Sequence, residues 1–145
     1  MQKLHRLLMA AWCVVCVAVT SCSITREPLD SPMATIEPRE LAEVADPTRV
    51  LVVDTRTLGQ FAQGHVPDAT RLHLSEVDLL GEQPMFPGYD MIVVYGQDPG
   101  SSAAEAMVKR LLFTHHQDVR LMEGGFDRWE REGLPVELSV PGSSE

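Results

Sequence analysis

Two short, uninterrupted apolar runs, Val50-Leu51-Val52-Val53 and Met91-Ile92-Val93-Val94-Tyr95, constrain this chain more than any other feature. Neither alternates with polar residues, so each reads as a strand buried on both faces, as in a parallel sheet. Parallel neighbours need crossover helices. Helical patterns lie at about Pro38 to Ala45, with Pro38 in the first turn, at Leu58 to Gln63, at Ser102 to Thr114 and at Gly125 to Glu132. In the third of these, Ala104, Met107, Val108, Leu111 and Leu112 recur at helical spacing as one apolar stripe. Thr70, Leu72 and Leu74 alternate with Arg71 and His73, predicting a half-exposed strand near a sheet edge, and Val119-Arg120-Leu121 predicts a further short strand. With no internal repeat, the pattern predicts one α/β domain over about residues 35–138, a small, open, mainly parallel sheet flanked by helices.

The first 21 residues carry an address. Lys3 and Arg6 precede an uncharged run, Leu7 to Val19, in the manner of a secretory signal peptide. Thirteen residues of helix rise about 20 Å and cannot comfortably cross a hydrocarbon core of about 30 Å. The run ends in Val19-Thr20-Ser21-Cys22, which resembles the bacterial lipobox. That resemblance implies cleavage before Cys22 and attachment of a diacylglyceryl group to its sulfur, with a third acyl chain on its amine. Several acyl chains anchor a protein stably where one does not. The implied location is the cell envelope, on a membrane facing the periplasm or exterior, and Ser23 in place of an aspartate leans towards the outer membrane. Cleavage nearby by the ordinary signal peptidase is the alternative. Residues 22–34 are polar, contain Pro28 and Pro32 and read as a flexible tether; residues 139–145 read as a flexible tail.

Charge and cysteine usage narrow the chemistry. The formal net charge is −9, and loss of Lys3 and Arg6 with the leader leaves 10 basic against 21 acidic residues, or −11. Such a surface repels phosphate backbones and anionic lipid headgroups, which argues against a nucleic-acid partner and against electrostatic adsorption to a membrane. The three cysteines are Cys13, Cys16 and Cys22, so no thiol occurs from Ser23 onwards. Cys13 and Cys16 have the spacing of a redox or zinc pair but sit in the apolar run with no supporting His or Asp. His115-His116, at a helix end, lacks acidic or Cys partners at ligand spacing, so no metal is expected there, and nothing calls for a cofactor.

Three segments, in order, carry a family resemblance. Asp54-Thr55-Arg56 with Phe61 and Gly64-His65-Val66-Pro67-Asp68-Ala69 form the first; Met91 to Ala103 form the second; Glu123-Gly124-Gly125-Phe126-Asp127-Arg128-Trp129 with Gly133-Leu134-Pro135-Val136 form the third. Together they resemble the rhodanese family over nearly the whole domain, with Asp68 standing where the family usually has glycine. The residues also have plainer readings: an ion pair or cap for Asp54 and Arg56, a turn histidine bonded to backbone for His65 beside Pro67, and core packing for Phe126 and Trp129.

The resemblance implies that the loop after Met91–Tyr95 should begin with the nucleophilic cysteine and contain an arginine. Here the loop reads Gly96-Gln97-Asp98-Pro99-Gly100-Ser101-Ser102, which puts Gly96 at the cysteine and Ser101 at the arginine. Sulfur transfer needs a thiolate to attack the outer sulfur of a donor such as thiosulfate and hold it as a persulfide. Glycine has no group for this, and the same argument excludes the related cysteine phosphatases. Gly100, Ser101 and Ser102 at a helix start could still attract an anion, against the like charge of Asp98 and the missing donor of Pro99; capping by either serine is the plainer role. The sequence therefore leads to a membrane-tethered, non-catalytic rhodanese-like binding or regulatory module whose partner is an envelope protein or a small anion. The alternative is a sulfurtransferase, or other pocket chemistry at His65, Asp54 or Asp98, retained through an unrecognised route.

Overall fold

The computed structural model describes residues 33–44, 46–77, 86–114 and 116–139, all within the compact unit Pro32–Glu145. The expected leader, Cys22, most of the tether, His115 and the tail beyond Ser139 lie outside the described residues. Five strands form one sheet: β1 (Thr35–Ile36), β2 (Val50–Asp54), β3 (Thr70–Arg71), β4 (Met91–Tyr95) and β5 (Val119–Met122), in the order β1-β5-β4-β2-β3. Every pairing is parallel. The helices are α1 (Pro38–Ala42), α2 (Leu58–Gln63), α3 (Ser102–Phe113) and α4 (Gly125–Arg131).

Short-range chemistry explains most boundaries. Pro38 begins α1, where its missing N–H is no loss. Thr57 and Gln60 form a reciprocal capping box at the start of α2. Ser101 caps α3, its Oγ accepting from Ala104 N. The two long apolar runs become the central strands β2 and β4, whose alternate residues feed two cores. Leu51, Val53, Ile92 and Val94 meet Met107, Val108 and Leu111 of α3 on one face. Val52, Val93 and Tyr95 meet Leu41, Val66, Phe126 and Trp129 on the other. Each such side chain, removed from water, contributes roughly 1.5–3 kcal/mol, so two filled faces hold the sheet in register.

Three expectations are corrected, and one strand appears that was not expected. The edge strand expected over residues 70–74 is only β3, because His73 caps a 3₁₀ turn over Leu74–Glu76. The first helix stops at Ala42, short of the expected Ala45. Leu112 does not join the buried stripe of α3 and is 43% exposed. Finally, β1 has only two residues, too few to leave a period, yet it completes the sheet edge through Leu121 N donating to Ala34 O and Glu123 N to Ile36 O.

Candidate functional site

Parallel α/β sheets present their loops and helix starts at the carboxyl ends of the strands, and there the loop from Gly96 to Ser101 joins β4 to α3. This loop is clamped to α4: Phe126 N donates to Gly96 O and Asp127 N to Gln97 O, both at 2.9 Å. Gly125 makes the clamp possible. It sits at φ +60°, and a Cβ there would lie 2.8 Å from Gly96 O and Gln97 O.

Gly96 itself has no room for a side chain. A Cβ would stand 2.1 Å from Ser101 Oγ and 2.3 Å from Ser101 Cβ. The volume at the end of β4 is thus filled from the other end of the loop by Ser101. Two loop donors and one in the first turn of α3 are engaged locally: Gly100 N donates to Asp98 Oδ1 at 2.9 Å, Ser101 N to Asp98 O at 3.4 Å and Ala104 N to Ser101 Oγ at 3.4 Å. A cleft of about 420 Å³ borders the loop, with Gly96, Asp98, Pro99 and Ser101 on one side and Thr35, Glu123 and Arg128 on the other. Arg128 is already bonded to Glu132 at 2.8 Å, Glu37 at 2.9 Å and Glu123 at 3.2 Å. Its hydrogen bond to Glu132 and the surrounding carboxylates hold its pKa above the ordinary value.

Behind the loop lies a buried ion pair. Asp54 is fully buried, and Arg56 Nη2 donates to its Oδ2 at 2.7 Å. The same guanidinium donates to Gly64 O at 2.6 Å and to Gln97 Oε1 at 3.0 Å, and lies 3.8 Å from the Phe126 ring centroid. Gln97 is the hub, because its Oε1 also accepts from Gln60 and its Nε2 donates to Asp127 at 2.6 Å. The hydroxyl of Tyr95 accepts from Val66 N; burial first, and the Asp54 charge second, push its pKa well above the ordinary value.

His65 is buried, away from the loop. Its ring stacks on Phe61 with Nδ1 3.0 Å from Phe61 O, while Nε2 lies 3.9 Å from Glu137. Its backbone forms an isolated antiparallel bridge with Glu137. Pro67 and Asp68 follow in a turn where Asp68 takes φ +59°, a left-handed conformation that suits glycine and is tolerated by aspartate. Trp129 is core, with Nε1 donating to Pro135 O at 2.7 Å, and Gly124, at φ +77°, is the N-cap of α4. The structure therefore brings Asp54, Arg56, Gly64, Gly96, Gln97 and Gly125 into one network and leaves His65 outside it. Sequence reasoning missed Gln97 as hub, Glu37 as a partner of Arg128 and the Glu137 bridge, since these partners lie tens of residues away and leave no local pattern, and it overlooked the i,i+4 pair Arg128–Glu132, which was legible as helical spacing. Among the described residues no group of three or more His, Cys, Asp and Glu is placed to hold a metal.

A five-strand parallel sheet with a clamped strand-to-helix loop at its carboxyl edge defines the class: a small α/β domain built to present that loop. The family is specific. The model of the Rhodanese-like domain matches residues 37–132, and this chain belongs to that family. It is 31% identical over 93 residues to a protein named sulfurtransferase in Allochromatium vinosum, covering 64% of this chain and 83% of that one. It is 38% identical over 50 residues to the thiosulfate sulfurtransferase YnjE of Escherichia coli, covering 34% of this chain but only 11% of that longer protein. In fold it is similar to a thiosulfate sulfurtransferase from Pseudomonas aeruginosa, with a TM-score of 0.62 at 24% identity over 77% of this chain and 21% of that one.

Proposed function

We propose that this protein is a non-catalytic rhodanese-like module, lipid-anchored at Cys22 in the bacterial envelope, that binds or regulates a partner through the surface around the Gly96–Ser101 loop. The observation that carries the reading is the double loss at Gly96: no thiol, and no space for one while Ser101 Oγ and Cβ stand within 2.1–2.3 Å of where its Cβ would be. In sulfur transfer, a thiolate attacks the outer sulfur of thiosulfate, sulfite leaves, and the persulfide is passed to an acceptor such as cyanide. No described residue carries a thiol. The local engagement of Gly100, Ser101 and Ala104 N–H groups favours a protein over a small anion as partner.

The test is a thiosulfate:cyanide assay on the full chain purified from membranes. Thiocyanate formation should stay at the no-protein blank, and clear turnover would overturn the proposal. Intact mass of the same preparation should show the leader removed and acyl groups on Cys22. A second reading, sulfur transfer by another route, draws support from the names of the relatives. It predicts turnover that falls when His65 or Asp98 is exchanged for Ala.

A further inference from the structure

We propose that the last turn of α3 is a membrane-contacting patch that docks the anchored domain on an anionic lipid surface and turns the Gly96–Ser101 loop away from the bilayer. This rests on the anchoring at Cys22 proposed above and adds an orientation to it.

The argument begins with topology. All five strands are parallel, so their amino ends share one end of the molecule. Helix α3 leaves the carboxyl end of β4 and returns to the amino end of β5, which places Leu112 and Phe113 at the amino end of the sheet. The loop from Gly96 to Ser101 is at the opposite end. The chain enters the domain on the same side as α3, because Met33 packs against the core cluster that contains Met107, Leu111 and Val119. The chain thus enters β1 at the amino end of the sheet, the end at which α3 finishes.

The surface there suits a bilayer interface. Phe113 is 71% and Leu112 43% exposed, adjacent large apolar side chains on a helix whose other large apolar residues, Met107, Val108 and Leu111, are buried. Beside them, Lys109 is exposed and Arg110 half-buried, and among the described residues neither has a carboxylate within ion-pair distance. Arg39, Arg49, Arg56, Arg120 and Arg128 are paired, while Arg71 and Arg131, like the two α3 cations, have no ion pair among the described residues. The acidic residues just before β4 and β5 at this end, Asp90 and Asp118, are paired with Arg49 and Arg120. Two cations without an ion pair among the described residues, beside Leu and Phe on a domain of overall negative charge, complement anionic headgroups above an apolar layer.

The patch is too small, and the whole domain too acidic, for the free domain to adsorb. Anchoring changes this by making the second contact intramolecular, at an effective concentration in the millimolar range. The ten residues between Cys22 and Met33 span at most about 40 Å, enough to allow either end of a small domain to face the lipid. The tether sets the distance, and the patch selects the end.

The experiment uses the full chain, processed and acylated in a bacterial host and reconstituted in phosphatidylethanolamine vesicles containing phosphatidylglycerol. A thiol-linked fluorophore is placed at Gln117→Cys, near the patch, or at Ser102→Cys, at the other end of α3, and quenched by nitroxide lipids. Quenching should be several-fold stronger at 117 than at 102. The difference should shrink when phosphatidylglycerol is replaced by phosphatidylcholine and vanish with Leu112→Ser/Phe113→Ser. Equal quenching at the two positions, or a difference that survives the double substitution, overturns the docking proposal. So does protection of position 117 in detergent, which would indicate a protein contact. If mass spectrometry finds Cys22 unacylated, the anchoring reading fails and this orientation with it; acylated Cys22 with equal quenching defeats the orientation alone.

Discussion

At Gly96 and Ser101 two residues compete for one volume, and the outcome is measurable as coupling. Gly96→Ala should destabilise the domain by about 1–3 kcal/mol in urea unfolding, because the new methyl group meets Ser101 Cβ as well as its flexible Oγ. Combining it with Ser101→Gly, which as a cap change costs only a few tenths of a kcal/mol, should recover most of the loss. Additive effects would show that the loop does not hold the two residues against each other. The buried pair behind the loop makes a second prediction. Asp54→Ala leaves the Arg56 guanidinium inside the protein with only Gly64 O and Gln97 Oε1, and should cost about 3–5 kcal/mol in the same measurement. That the two residues belonged at a strand end was legible from their place after an apolar run; the reach of Arg56 to Gln97, 41 residues away, was not.

At the scale of elements, the strand-to-helix joints at β4–α3 and β5–α4 act as one unit. Gly125, the first residue of α4, holds the β4 loop through the two backbone bonds that follow it. A methyl group there would strike carbonyl oxygens that have no flexible end to yield, on a backbone already in the left-handed region. Gly125→Ala should therefore cost about 2–4 kcal/mol and speed amide exchange at Phe126 and Asp127, read by hydrogen-exchange NMR. Long, strongly patterned elements were readable in advance: β2, β4, α2 and α3 fall within a residue of the expected bounds. Two-residue strands were not. β1 and β3 exist because β5 and β2 offer open hydrogen-bonding edges, and no side-chain period fits into two residues. Leu112 misled for a related reason, since helical spacing admits it to the apolar stripe although it is 43% exposed and absent from the core cluster under α3.

For the molecule as a whole, acid sensitivity has an identifiable contributor in His116. Among the described residues, its Nε2 is the buried side-chain nitrogen or oxygen without a hydrogen-bond partner, and its ring stacks on Phe86. Burial lowers its pKa from the ordinary 6.5, so below that pH the unfolded chain takes up a proton that the folded one resists. Its contribution is thus present above about pH 6.5 and is lost as the pH falls towards the lower folded value. His116→Phe, which keeps the stacking and removes the orphaned nitrogen, should reduce the fall in Tm between pH 7.5 and pH 5; an unchanged fall would assign acid sensitivity to other groups. Alone, the sequence determined the α/β class, the parallel sheet, the family resemblance and the lack of a thiol after Cys22, because all of these are written in local periodicity, short motifs and residue identity. Only the tertiary structure decided that Ser101 closes the space at Gly96, that Gln97 joins Arg56 to Asp127, and that Met33, at the start of the described domain, packs against the cluster that α3 fills. Those are meetings of residues distant in the chain, and nothing in a linear pattern sets the distance at which two such side chains come to rest.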